Sequence, residues 1–366
     1  GVFIVAAKRT PFGAYGGLLK DFTATDLTEL AARAALSAGG VSPEAIDSII
    51  VGNVMQSSSD APYLARHVGL RVGVPKEVPA FVVNRLCGSG FQSIVSGCQV
   101  WTTFYYFSEN MLEVIGGNAP LQYNTVAYYF QKIHFNQSLY YSCLFILEDT
   151  LWAGLTDQHI QLPMGVTAEN LAAKHNISRE DCDKYALQSQ QRWKADTLEQ
   201  LNKLPPLFKK EGTVTAGNAS GVSDGAGAVI IASEDAVKKH NFTPLARIVG
   251  YFVSGCDPSI MGIGPVPAIN GALKKIGRSL KDMDLVEVNE AFAPQYLAVE
   301  KSLDLDPSKT NVNGGAIALG HPLGGSGTRI MAHLVHELRR RGGKYAMGSA
   351  CIGGGQGIAV VIESTA

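Results

Sequence analysis

Short runs rich in β-branched residues recur along the chain, each bounded by glycine or polar residues: Val2-Phe3-Ile4-Val5, Ser48-Ile49-Ile50-Val51, Val229-Ile230-Ile231 and Ile358-Ala359-Val360-Val361-Ile362. Apolar runs of this length and composition are expected as strands buried on both faces. Between them lie stretches with apolar residues three and four apart, which predict helices over Ala24–Ser37, Thr167–Lys174, Arg179–Lys194, Ala268–Ile276, Ala291–Leu303 and Thr328–Arg341. Strands alternating with helices imply an α/β fold.

At 366 residues the chain exceeds what one core usually organises, so two packed halves are expected. With 31 basic and 32 acidic residues it carries no net field to attract nucleic acid or an anionic membrane, so an anionic ligand must be held locally. No apolar run reaches the ~18 residues of a membrane-spanning helix. The cysteines at 87, 98, 143, 182, 256 and 351 are too scattered for a zinc pattern and too few for a disulfide scaffold, which predicts a reducing compartment and no metal. The sequence begins in an apolar strand, Val2–Ala6, so a targeting segment is either absent or lies outside it.

An internal echo points to related halves: Cys87-Gly88-Ser89-Gly90 opens one helical stretch and Gly324-Gly325-Ser326-Gly327 opens another. Small residues at a helix start also serve close packing, so the echo has two readings. From Val100 to Leu147 the chain is aromatic and without clean period, and only Met111–Ile115, stopped by Gly116-Gly117, predicts a strand there.

Four motifs carry chemistry. In Arg85-Leu86-Cys87-Gly88-Ser89-Gly90 a cysteine sits at a helix N-terminus, where free N–H groups and the helix dipole are expected to lower the thiol pKa. The plainer alternative is a small buried hydrophobe. His321 lies between glycine-rich turns in Gly320-His321-Pro322-Leu323-Gly324, where an imidazole can take a thiol proton or donate to an oxyanion, or be structural. Cys351 precedes three glycines, Gly353 to Gly355, whose N–H groups can surround developing negative charge. Asn289-Glu290 falls at a strand-to-helix transition, where an ordinary helix cap is the competing reading.

Together, in this order, these motifs resemble the thiolase family, and Cys87, Asn289, His321 and Cys351 fall on its four signature positions. The likeness runs over residues 1 to 99, 148 to 195 and 197 to 366. It implies a duplicated α/β fold of two mixed five-stranded sheets with helices in five layers. The halves would span 1–235 and 236–366, with a loop domain inserted at about 118–220. It implies covalent acyl transfer in two steps: Cys87, activated by His321, attacks the 3-keto carbon of a 3-ketoacyl-CoA and is acylated, and Cys351 protonates the departing acetyl-CoA enolate. Coenzyme A is then deprotonated by Cys351 and takes the acyl group. One oxyanion site would use His321 and a water held by Asn289, the other the N–H groups of Cys87 and Gly353. Ser220, in Thr215–Gly221, matches a coenzyme A contact, and Met164 a lining residue. Coenzyme A enters as co-substrate, with no permanently bound cofactor. A homodimer or homotetramer in the mitochondrial matrix, working in fatty-acid β-oxidation, completes what the likeness implies.

The chain departs from the family twice. Between Val100 and Leu147 the family's strand and active-site turn are matched only by Val114-Ile115-Gly116-Gly117-Asn118-Ala119-Pro120. Between Ala195 and Asp196 the family carries a few tens of further residues, including an arginine that contacts the coenzyme A nucleotide. Loss of one charge-assisted phosphate contact predicts binding weaker by about 1.5–3 kcal/mol, roughly ten- to a hundredfold. Two other readings therefore stand beside thiolysis. One is a thiolase-like subunit impaired in catalysis. The other is a related condensing enzyme, against which Cys351 argues.

Overall fold

The computed structural model describes residues 1–103, 112–116, 126–135, 138–147, 153–193 and 198–365. Among these, nine strands form one mixed sheet in the order Leu285–Val288, Tyr345–Ile352, Gln356–Ser364, Ala246–Gly255, Val2–Arg9, Gly227–Ser233, Leu112–Gly116, Ser48–Gly52 and Ala80–Val83. The same succession of directions occurs twice. Val2–Arg9 runs antiparallel to Gly227–Ser233, which runs antiparallel to Leu112–Gly116, and Ser48–Gly52 and Ala80–Val83 follow in parallel. Likewise Ala246–Gly255 runs antiparallel to Gln356–Ser364, which runs antiparallel to Tyr345–Ile352, and Leu285–Val288 follows in parallel. A lone parallel bridge from Val286 to Thr310 stands where the second half would have its fifth strand. The halves join edge to edge through only three residue pairs, Val2 with Ile248 to Ile4 with Ala246.

Alternation along each strand sends successive side chains to opposite faces. Ile4, Val229 and Ile231 of the first half, with Ala350, Val360 and Ile362 of the second, enclose Phe91, Ile94 and Val95 of helix Ser89–Thr103 and Ile330, Leu334 and Val335 of helix Ser326–Arg341. On the opposite faces, Val5, Ile49 and Ile230 pack under helices Ala24–Gly39 and Leu64–Val72. Met347, Ala359 and Val361 pack under helices Met164–His175, Arg179–Trp193, Pro265–Ile276 and Ala293–Leu303. The two halves of the sheet thus enclose the middle helices and carry the others on their outer faces, and strands covered on both faces, such as Gly227–Ser233 and Tyr345–Ile352, are buried at every position.

The two glycine-rich helix starts meet in the middle layer. A Cβ on Gly90 would stand 2.7 Å from the Gly324 carbonyl oxygen and the Thr328 nitrogen, and one on Gly327 would stand 2.3 Å from the Phe91 nitrogen. The echo in the sequence is therefore close helix packing, and it draws the ends that bear Cys87 and His321 towards each other.

Two expectations change. The aromatic stretch that lacked a clean period contains two paired strands, Val126–Phe135 and Ser138–Leu147, beside the core strand Leu112–Gly116. The turn proposed after that strand, from Gly117 to Pro120, lies outside the described residues. The strand Ala246–Gly255 was not foreseen, because Gly250 interrupts its apolar run where the register shifts between Ile248 and Gly250.

Candidate active site

Cys87 is held at the mouth of the middle layer by a strained turn. Leu86 adopts φ 44°, a left-handed conformation that a branched side chain takes at a cost of about 1–3 kcal/mol. The turn is fixed by Asn84, whose Oδ1 accepts from the Leu86 N–H at 2.9 Å, and by Ser89, whose Oγ accepts from the Arg85 N–H and donates to the Leu86 carbonyl. Neither was singled out from the sequence, although Ser89 stands inside the quoted motif.

The expected lowering of the Cys87 pKa is overturned. The thiol is 4% exposed, and burial pushes it up to about 11. Hydrogen bonds from the backbone N–H groups of Gly353 and of Cys87 itself pull the other way without cancelling that rise. The Gly353 N–H comes from the turn joining Tyr345–Ile352 to Gln356–Ser364, where Gly354 and Gly355 take φ 76° and 80°. Cys351 leads into this turn, fully buried, and its thiol is held well above the usual range by burial and then by Cys87 and Cys256.

His321 is 5% exposed. Its backbone N–H donates to Ser223 Oγ and to the Gly221 carbonyl, both at 2.9 Å. Gly320 must be glycine here: its φ is 96°, and a Cβ would lie 2.0 Å from Ser223 Oγ. On the ring, Nδ1 lies 2.6 Å from Ser326 Oγ, and Ser326 Oγ in turn donates to the Pro322 carbonyl. Nε2 faces the Asn289 side-chain nitrogen at 3.4 Å. This network puts the ring proton on Nδ1 and leaves Nε2 an acceptor. Burial, helped by the nearby Arg329 guanidinium, lowers the imidazole to about 4, so it is neutral throughout the physiological range.

Asn289 anchors its own backbone N–H on the Ser349 carbonyl at 2.9 Å, two residues before Cys351. Its Oδ1 is buried and has no hydrogen-bond partner among the described residues, so it remains an acceptor for a donor entering the site. Cys351, Ala291, Met164 and Phe292 share one small apolar cluster. Met164 abuts the oxyanion turn, with its Cε 2.4 Å from where a Gly353 Cβ would be. Ser220 sits beside this cluster, but both its N–H and its Oγ donate to the Ala291 carbonyl, at 3.0 and 2.9 Å. The hydroxyl proton is therefore spent inside the protein, and Ser220 offers a ligand an acceptor.

The structure thus places Cys87 with Gly353 and Cys351, and Asn289 with His321, and it joins the two groups through Ser349 and the Gly90–Gly324 approach. With the thiol raised and the imidazole lowered, both groups are neutral at rest, which differs from a resting thiolate–imidazolium pair. Iodoacetamide alkylation of Cys87 is expected to rise about tenfold per pH unit from pH 7 to 9, because the thiolate fraction grows at that rate below the thiol pKa. A plateau below pH 8 would show a resting thiolate instead.

Comparison with known proteins bears on the family of the chain. The profile for the thiolase N-terminal domain matches residues 2–197 and 194–235, and that for the thiolase C-terminal domain matches 242–364. The chain is 72% identical to the mitochondrial 3-ketoacyl-CoA thiolase of Bos taurus over 400 aligned positions, covering 100% of this chain and 99% of the relative. The crystal structure of human mitochondrial 3-ketoacyl-CoA thiolase in complex with CoA superposes with a TM-score of 0.92 at 71% identity, covering 100% of this chain and 98% of that one. An acetyl-CoA acetyltransferase structure from Bacillus anthracis gives a TM-score of 0.87 at 38% identity, covering 99% and 98%.

Proposed function

The chain belongs to the thiolase family, and on that footing we propose that Cys87 is the nucleophile of its acyl transfer, with His321, Asn289, Cys351 and Gly353 as its partners. The chain is an acyltransferase of the 3-ketoacyl-CoA thiolase kind. Coenzyme A cleaves a 3-ketoacyl-CoA to acetyl-CoA and an acyl-CoA two carbons shorter, and the reverse is a Claisen condensation.

The observation that carries the residue assignment is the packing of the Leu86–Gly88 turn against Ile352 and Gly353, which sets the buried Cys87 against the Gly353 N–H, with Cys351 at the base of the same turn. The nucleophile lies against a donor that serves the oxyanion formed when sulfur attacks the 3-keto carbon. His321 Nε2 takes the thiol proton as the carbon–sulfur bond forms. Collapse of the tetrahedral intermediate breaks the bond between C2 and C3, and its electron pair enters the thioester as an enolate. That enolate is held by protonated His321 and a water on Asn289 Oδ1, and Cys351 donates the proton that completes acetyl-CoA. The Cys351 thiolate then takes the proton of the incoming coenzyme A thiol, whose sulfur attacks the acyl carbon on Cys87; the bond to Cys87 breaks, the shortened acyl-CoA leaves, and the Cys87 sulfur takes back the proton held on His321 Nε2. Burial makes both thiols weak acids, which suits groups that trade protons only when substrate is present.

Ser220 and Met164 line the coenzyme A approach in this reading, and the halves 1–235 and 236–366 carry the nucleophile and the His321–Cys351 pair, with a loop domain at about 118–220. The mitochondrial relatives support a mitochondrial matrix setting. The strand Ala80–Val83, at one edge of the sheet among the described residues and with Phe81 44% exposed, is where a second copy would dock in a homodimer or a pair of dimers.

A second reading, an impaired subunit, draws support from the 400 aligned positions set against 366 residues and from the two-piece match meeting at 194–197. Steady-state thiolysis of acetoacetyl-CoA over a wide range of coenzyme A separates the two. The thiolase reading expects acetyl-CoA formation that saturates in coenzyme A, with KM raised roughly ten- to a hundredfold over a relative that has the segment. No acetyl-CoA at any coenzyme A concentration would establish the impaired subunit.

A further inference from the structure

We propose that Glu290 is a positioning residue for this reaction, fixing Asn289 and His321 at their working separation from behind; the inference rests on the thiolase reading above.

Glu290 is fully buried, and four donors converge on its carboxylate. Tyr185 Oη and the Asn311 side-chain nitrogen donate to Oε1 at 2.6 and 3.0 Å, and Ser189 Oγ and the Ile317 N–H donate to Oε2 at 2.8 and 3.1 Å. Four donors fill the accepting positions of its two oxygens. Tyr185 stays a donor, since burial and then Glu290 itself hold its phenol well above the ordinary range.

These donors come from three separate elements. Tyr185 and Ser189 lie on helix Arg179–Trp193, Asn311 lies in a loop, and Ile317 lies in the short helix Ala316–Leu319 that leads directly to Gly320 and His321. Asn311 is itself fixed: its Oδ1 accepts from the Val288 N–H at 2.9 Å and its nitrogen donates to the Val288 carbonyl at 3.0 Å. The approach of the His321-bearing segment is tight, because a Cβ on Gly315 would lie 2.4 to 2.7 Å from the Glu290 carboxyl group. Ser189 also accepts from the Gly315 N–H at 3.2 Å. Glu290 is bonded in sequence to Asn289, so one carboxylate ties the backbone that carries Asn289 to the backbone that delivers His321. A buried hub that touches both arms of the oxyanion site, yet no reacting atom, acts through geometry.

Glutamine tests this closely, because its amide nitrogen must face two of the four donors. Acylation and turnover would be measured for the wild type, Glu290→Gln, Asn289→Ala and the double variant, together with thermal melts. The proposal expects Glu290→Gln to lower kcat about a hundredfold with KM changed less than about threefold. In the Asn289→Ala background the same substitution is expected to cost less than about threefold more, since the geometry it protects is already lost. A defect in general stability would instead multiply through both backgrounds, and that result would overturn the proposal, as would a kcat within threefold of the wild type. Should Glu290→Gln not fold, Tyr185→Phe with Ser189→Ala removes two donors and keeps the carboxylate. Its kcat is expected to fall about tenfold without additivity to Asn289→Ala, and an unchanged kcat would overturn the proposal. A wild type that forms no acyl-enzyme would overturn the functional reading itself, a result separable from any behaviour of the Glu290 variants.

Discussion

Cys87→Ala is expected to lower kcat/KM for cleavage of a 3-ketoacyl-CoA by at least about 10⁴-fold while the protein stays folded. The loss is large because the reaction passes through a bond to this sulfur, and no neighbour replaces it. Cys351 lies near, but burial holds its thiol far above the usual range, and Cys256 adjoins Cys351 on the far side of the turn's base. Neither sulfur receives the Gly353 N–H that backs Cys87. Stability should change little, since one sulfur atom is removed from a wall already lined by Leu86 and Ile352. Steady-state kinetics alongside a thermal melt check both halves of the expectation.

His321→Ala is expected to cost about 10³-fold in kcat, as loss of a general base combined with loss of an oxyanion donor. Because the thiol stands at about 11 and the imidazole at about 4, neither group is charged at neutral pH, and the proton must move during attack. The same substitution carries a signature in stability. A histidine whose folded pKa is lowered from 6.5 to about 4 stabilises the fold fully above pH 6.5, and the benefit fades as the pH falls towards 4. The buried position makes this worth about 3 kcal/mol. Denaturant titrations at pH 7 and pH 4 should show that acid-dependent loss in the wild type and a smaller one in His321→Ala. The variant pays elsewhere, because Ser326 Oγ and the Asn289 amide lose their ring partners.

Much of the fold was legible because strands buried on both faces are apolar at every position. Val229 to Ile231 and Ile358 to Ile362 are read from the sequence without help, and each lies one strand in from the seam between the halves, fully buried or nearly so. Ala246–Gly255 escaped because it is half exposed and broken by Gly250, and Ala80–Val83 because four residues at an edge carry little pattern. The chemical residues were legible for a different reason. Cysteine and histidine between glycines are uncommon, and close backbone approach demands those glycines, as Gly320 against Ser223 shows. Partners brought from far along the chain left no such mark. Ser223 meets His321 across 98 residues and Tyr185 meets Glu290 across 105, and isolated polar residues of this kind look like any surface serine or tyrosine until the fold assembles them. The thiol pKa was misjudged because a helix start suggests dipole and donors, whereas its depth depends on packing that local sequence does not record.

The central claim, that Cys87 carries the acyl group, is tested most directly by giving purified protein acetoacetyl-CoA without free coenzyme A and mapping the acyl label by peptide mass spectrometry. The account predicts one acetyl group on Cys87, release of about one equivalent of acetyl-CoA, and no label in Cys87→Ala. Label on Cys351 or Cys256, or folded wild-type protein that takes up none at saturating substrate, would contradict it.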